Sequence, residues 1–165
     1  MTGRGSVSPS DRFFSCLVYI LPLMETLVLV SQGITGGSLL APVFALLVVP
    51  LSPIISIYYG FGGLLSFAVF LALYMLVVRN SELSHFLRYN VMQAILFGIV
   101  LSLMGIVWQY FLEAIFKNTI VAETLFNTIF LGGLVAVGYS VVQTALGRYA
   151  EIPAISEAVS NQVRY

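Results

Sequence analysis

The sequence predicts an all-α integral membrane protein, a bundle of four transmembrane helices with a proline-broken, re-entrant apolar segment beside them. Three observations predict it. Only 8% of the 165 residues are charged, 59% are hydrophobic and the mean hydropathy is +1.01. A soluble domain carries about 25% charged residues, so this chain cannot cover a water-facing surface. Disorder is excluded by the same numbers, since disordered chains are charged and poor in apolar residues. Third, apolar stretches of membrane-spanning length recur along the chain. A transmembrane helix needs about 20 apolar residues, with about 17 as the lower limit.

The first element is the polar, basic segment 1–12, MTGRGSVSPSDR, read as the true start of the chain from Met1. A plastid transit peptide would be longer and rich in Ser and Arg. Residues 13–147 then form one transmembrane domain, and 148–165 a polar tail. Apolar segments cover 13–30, 39–57, 61–78, 91–112 and 128–147. The second holds Pro42, Pro50 and Pro53. An interior proline removes a helical hydrogen bond, and in lipid the freed carbonyl needs another partner. This segment therefore reads as broken or re-entrant, with a kinked span as the alternative. If it returns to its own side, Arg4, Arg12, Arg79, Arg88, Arg148 and Arg164 share one side and only Lys117 lies opposite. The positive-inside rule makes the shared side cytoplasmic or stromal, with both termini there. Phe13, Phe14, Tyr58, Tyr59, Phe61, Trp108, Tyr110 and Tyr149 sit near segment ends, as an interfacial aromatic belt does. Asn80–Asn90 is the most polar stretch between spans and reads as a short interfacial helix continuing into the next span, with Leu83, Phe86 and Leu87 on one face and Glu82, His85 and Arg88 on another.

Candidate functional positions follow from residue type and depth. Glu25 is the one acidic residue within a span, and a carboxylate at membrane depth is a functional-site candidate. Simple polar packing near a span end is its alternative. Asn90, Ala94, Gly98, Ser102, Gly105 and Gln109 recur at three- and four-residue spacings; Gly132, Ala136, Ser140 and Thr144 do so every fourth residue. Such stripes let helix backbones approach closely, or form a weakly polar wall of a conduit. Gln93, Gln109, Asn127 and Gln143 are neutral polar residues of the kind that bridge helices.

Catalysis finds no footing. His85 with Glu82 and Arg88 has neither a nucleophile motif nor a second histidine. One cysteine, Cys16, and one histidine exclude zinc sites built from several such ligands. Gly36-Gly37 and Gly62-Gly63 are turn or packing glycines rather than a phosphate loop. Seven basic and seven acidic residues leave no basic patch for nucleic acid. No cofactor is expected, and the chain reads as a non-enzyme.

Two runs are distinctive: Val77-Val78-Arg79-Asn80 followed by Ser84-His85-Phe86-Leu87-Arg88-Tyr89-Asn90-Val91-Met92-Gln93-Ala94-Ile95-Leu96, and Gly147-Arg148-Tyr149-Ala150-Glu151-Ile152-Pro153-Ala154-Ile155-Ser156-Glu157-Ala158. Both resemble the twenty-kilodalton subunit family of the Tic translocon, the translocon at the inner envelope membrane of chloroplasts, which has cyanobacterial relatives. Tyr19-Ile20-Leu21-Pro22-Leu23 and Thr128-Ile129-Phe130-Leu131-Gly132 resemble it too, so the likeness runs from about Asp11 to Arg164. It implies four spans, both termini stromal or cytoplasmic, and a central or channel-forming role in moving precursor polypeptides. It brings no catalytic residues. Without a transit peptide the chain resembles cyanobacterial or plastid-encoded members, in a cyanobacterial inner membrane or a plastid inner envelope. The expected partners are the lipid bilayer, other translocon subunits and precursor polypeptides in transit, in an oligomer or hetero-complex. Two other classes stay open: a small-solute or ion transporter, and a membrane scaffold or assembly factor. Within the Arg79–Gln93 region, Arg79, His85, Arg88, Asn90 and Gln93 are candidates for docking a soluble partner, with lipid anchoring as the alternative.

Overall fold

The computed structural model describes residues 7–34 and 37–163; Arg4, Gly36 and Arg164, named above, lie outside them. Five helices are long and apolar enough to cross a membrane: α1 (Pro9–Val30), α2 (Ala41–Tyr59), α3 (Phe61–Val78), α4 (His85–Phe116) and α5 (Ile120–Ala145). A short α6 (Ser156–Gln162) lies in the tail. No strand occurs among the described residues. The chain is an all-α integral membrane protein.

Helix α1 starts where the sequence supplies a cap. The Ser8 hydroxyl accepts the Asp11 N–H at 3.1 Å, and Pro9 occupies the first turn, where its missing N–H costs nothing. The helix hitches at Val18–Tyr19. Pro22 has no N–H to give the Val18 carbonyl, so the Leu21 N–H takes it at 3.1 Å.

The proline-rich segment is a correction to the sequence expectation. Ala41–Tyr59 is one continuous helix of 19 residues, not a broken hairpin. Pro42 sits in its first turn, where no hydrogen bond is lost. Pro53 leaves the Val49 carbonyl without its usual donor, and the Ser52 hydroxyl donates to it at 2.8 Å. Such side-chain repair lets prolines persist in apolar helices. The turn into α3 follows at once, with Phe61, Gly62 and Gly63 all at positive φ (56°, 64° and 82°).

Asn80–Asn90 also differs from expectation. Residues 80–84 form a turn rather than helix, while His85–Asn90 is helical and continues into the span as α4. Ser84 caps it, its hydroxyl accepting the Leu87 N–H at 3.2 Å. Phe86 is buried rather than interfacial. Helix α5 begins at a Thr119 cap and ends in a Schellman turn. There the Gly147 N–H donates to the Thr144 carbonyl and the Arg148 N–H to the Gln143 carbonyl, both at 2.9 Å.

The core lies between α1, α4 and α5, which bury Tyr19, Leu27, Val30, Ala94, Phe126 and Phe130. Two glycines set its spacing. A Cβ on Gly133 would lie 2.5 Å from Thr26 Cγ2, and one on Gly33 would run into the Phe126 ring. Helix α2 buries no residue fully, and α3 buries only Val78, at its end.

Contacts fix which ends meet. The Arg12 guanidinium packs on Gly147, and the Arg88 Nε donates to the Val78 carbonyl at 2.9 Å. Hence the start of α1, the turn 79–84 and the tail share one end of the bundle. At the other end, Gly33, Trp108 and Lys117 surround the start of α5. Helix α2 does not run from end to end. Its first turn places Phe44 against Phe130, while Tyr58 shares a cavity with Glu25 and Ser102. Counting about 1.5 Å per residue from the Asn90–Thr144 contact, Phe130 lies about 21 Å away and Ser102 about 18 Å. The two ends of α2 are at similar depth, so it crosses the bundle obliquely, and α3 alone returns to the shared end.

Candidate functional site

The polar residues of the distinctive run have separate jobs. Asn90 and Gln93 are fully buried, with Tyr19 of α1 and Ser140 and Thr144 of α5. The Tyr19 hydroxyl donates to Asn90 Oδ1, the Thr144 hydroxyl donates to the same oxygen, and Gln93 Nε2 donates to the Tyr19 oxygen, each at 2.9 Å. Asn90 Nδ2 donates to the Phe86 carbonyl at 2.8 Å. This neutral knot joins three helices in one layer. Unlike charges, neutral groups can be satisfied in hydrocarbon by a few hydrogen bonds.

His85 and Arg88 build the shared end. His85 Nε2 lies 3.3 Å from the Val163 carbonyl, an acceptor to which it can donate. His85 Nδ1 and the Tyr149 hydroxyl share a hydrogen bond at 3.0 Å. Phe86, Tyr89 and Tyr149 stack edge to face around it. His85 thus holds the tail onto α4 rather than facing water. Arg88 satisfies a terminal carbonyl of α3 and places a cation at that helix's C-terminal end, where it also complements the dipole. Arg79 is exposed beside it.

Glu25 lies apart from both, in a lateral crevice. It is half-buried on α1; the Ser102 hydroxyl donates to its Oε2 at 3.4 Å, and Tyr59 stands beside it. A cavity of about 240 Å³ opens here, lined by Glu25, Tyr58, Ser66, Phe70, Gly98 and Ser102 among others. Its floor is α4 and its walls are α1 and α3.

The small-residue stripes divide. Four-residue steps drift about 40° each on a helix of 3.6 residues per turn. Twelve residues from Thr144, Gly132 has turned about 120° away. Thr144 and Ser140 are buried, Ala136 is half-buried, and Gly132 faces outward with no atom of the chain within 4 Å of a built Cβ. The close-approach glycine is Gly133. On α4 the same drift leaves Asn90 and Ala94 buried but Ser102 and Gln109 exposed, while Gly98 borders Glu25 and Gly105 packs on Leu29. Gly98 and Ser102 are therefore the conduit-lining candidates that the fold brings to one cavity.

Sequence reasoning missed Tyr19, Tyr58, Tyr59 and Gly133 as site residues. Tyr19 had a signal: an aromatic hydroxyl deep in an apolar helix needs a partner.

The profile of the family described as chloroplast import apparatus Tic20-like matches residues 10–159. The chain is similar to a Tic20 family protein of Synechocystis, 44% identical over 167 residues, an alignment covering 100% of each chain. It is similar to the Tic20 family protein Ycf60 of Porphyra purpurea, 32% identical over 161 residues, covering 93% of this chain and 76% of the relative. It is also similar to the protein TIC 20-v, chloroplastic, of Arabidopsis thaliana, 31% identical over 166 residues, covering 98% and 75%. The profile match takes in the knot, the crevice and the His85–Tyr149 contact alike, and the chain belongs to the Tic20 family.

Proposed function

We propose that the chain is a non-enzymatic subunit of a complex that conducts polypeptides across or into a membrane. The observation that carries this reading is the crevice between α1 and α3, open along the side of a chain whose family is described as an import apparatus. A conduit for polypeptides needs a lateral or axial gap in a rigid frame, and the buried knot supplies the frame. One chain with a three-helix core is too small to enclose a wide pore. Exposed α2 and α3 then contact lipid, further copies or other subunits of a translocon.

In this reading the chain crosses the membrane four times, by α1, α3, α4 and α5, with α2 lying obliquely in the far half. Arg12, Arg79, Arg88 and Arg148 then share the end that faces the cytoplasm or stroma. The membrane is a cyanobacterial inner membrane or a plastid inner envelope, as the relatives' origins suggest. The test is crosslinking of a stalled precursor to photoreactive residues placed through the helices. Crosslinks within α1, α3 and α4 support conduction. Crosslinks confined to residues 79–84 and the tail leave a scaffold and contradict it.

A further inference from the structure

Glu25 has neutral company only. Its neighbours are the Ser102 hydroxyl and the two tyrosines, Tyr58 and Tyr59, while the Ser66 hydroxyl is committed to the Gly63 carbonyl at 2.8 Å. Among the described residues no Lys, Arg or His lines the cavity. Among the described residues the one ion pair is Lys117 with Glu113, at the far end of the bundle. A carboxylate offers about four acceptor positions, and in a low-dielectric setting a cation is its strongest partner.

Toward the shared end the Glu25 cavity has an apolar neighbour. A second cavity, of about 310 Å³, is lined by Leu17, Leu21, Leu73, Val77, Leu87 and Val91 among others. It shares Leu21 and Leu73 with the Glu25 cavity, so the two lie side by side along α1 and α3. The neighbouring cavity is apolar, and the Glu25 cavity sets the carboxylate among mostly apolar side chains. An occupant must match that pattern: apolar along its length, with a cationic group set inward.

We infer that this groove seats an apolar polypeptide segment and that Glu25 receives a basic side chain from it. The inference rests on the polypeptide-conducting reading and names the chemistry of its substrate. Glu25 lies thirteen residues beyond Arg12 on α1, about 20 Å along the helix. It lies five residues, about 7.5 Å, before the end of α1 at Val30, a position that a Lys or Arg carried within an apolar segment can reach.

The experiment uses the full chain in liposomes, with Phe70 replaced by a photoreactive phenylalanine analogue on the groove wall. The probes are two synthetic apolar 20-residue helical peptides, identical except for Lys or Leu at mid-length. The Lys peptide is expected to crosslink several-fold more than the Leu peptide. Glu25→Gln, checked for normal level and native size, is expected to abolish that preference without lowering the Leu yield. Equal yields for the two peptides overturn the inference, as does a Lys preference that survives in Glu25→Gln. Capture of an amine-headgroup lipid analogue in preference to either peptide also overturns it. If the Lys preference fails while a stalled precursor still crosslinks within the helices, the groove assignment falls and the conducting reading stands. If no helix crosslinks a precursor, both fall.

Discussion

Tyr19→Phe tests the buried knot with the smallest change the structure permits. It removes one oxygen and keeps the ring. That oxygen donates to Asn90 Oδ1 and accepts from Gln93 Nε2. Interhelical polar contacts in membranes average about 0.6 kcal/mol and reach about 1.7, so two bonds give a cost of about 1.2 kcal/mol. Thr144→Val removes a single bond to the same Asn90 oxygen, at a cost of about 0.6 kcal/mol. Because both hydroxyls serve one acceptor, the double variant should depart from additivity, as contacting groups do. The assay is unfolding of the purified protein in detergent, followed for wild type, both single variants and the double. The expected order of loss is Tyr19→Phe above Thr144→Val, with measurable coupling. Additive losses, or a Tyr19→Phe protein as stable as wild type, would refute the idea that this layer ties α1, α4 and α5 together.

Three further predictions concern glycines. Gly133→Ala should cost about 1–3 kcal/mol by overpacking, since its Cβ would meet Thr26, whose hydroxyl is held on the Pro22 carbonyl at 2.7 Å. Gly132→Ala, in open space, should leave unfolding of the isolated chain within about 0.5 kcal/mol of wild type. Gly147→Ala places a Cβ at φ +73°, 3.0 Å from the Arg12 guanidinium carbon, and should cost about 1–2 kcal/mol. Its signature is faster proteolysis of the tail after residue 147, with cleavage of the 117–119 turn unchanged.

The class of fold was legible because composition acts on the whole chain: too few charges remain to face water. The α2 error has a local cause. Counting prolines treats each as a break, yet Pro42 stands where no bond is lost and Ser52 repairs the carbonyl that Pro53 frees. The neighbour of a proline decides its cost, and the segment's Ser52 was there to be read. The stripe on α5 divides through the arithmetic of the helix. Spacing by fours follows one face for two turns and then leaves it, so Gly132 was chosen over Gly133. Asn90, Gln93, His85 and Arg88 were legible as a group, but not their division of labour. Their partners Tyr19, Thr144, Tyr149 and Val78 lie 10 to 74 residues away, beyond any local pattern. Glu25 was legible by rarity alone; the crevice around it needed α1, α3 and α4 together.

The measurement that tests the account most directly is two-sided cysteine labelling in intact membranes. Single cysteines at Ser10, Glu82, Asn118 and Glu157, with Cys16 replaced by Ser, are exposed to an impermeant reagent from one side and then the other. If α2 lies obliquely and only α1, α3, α4 and α5 cross, then Ser10, Glu82 and Glu157 label from one side and Asn118 from the opposite side. Labelling of Ser10 from the side opposite to Glu82 and Glu157 would mean that α2 crosses as well, and would contradict the four-crossing frame in which the groove and its carboxylate were placed.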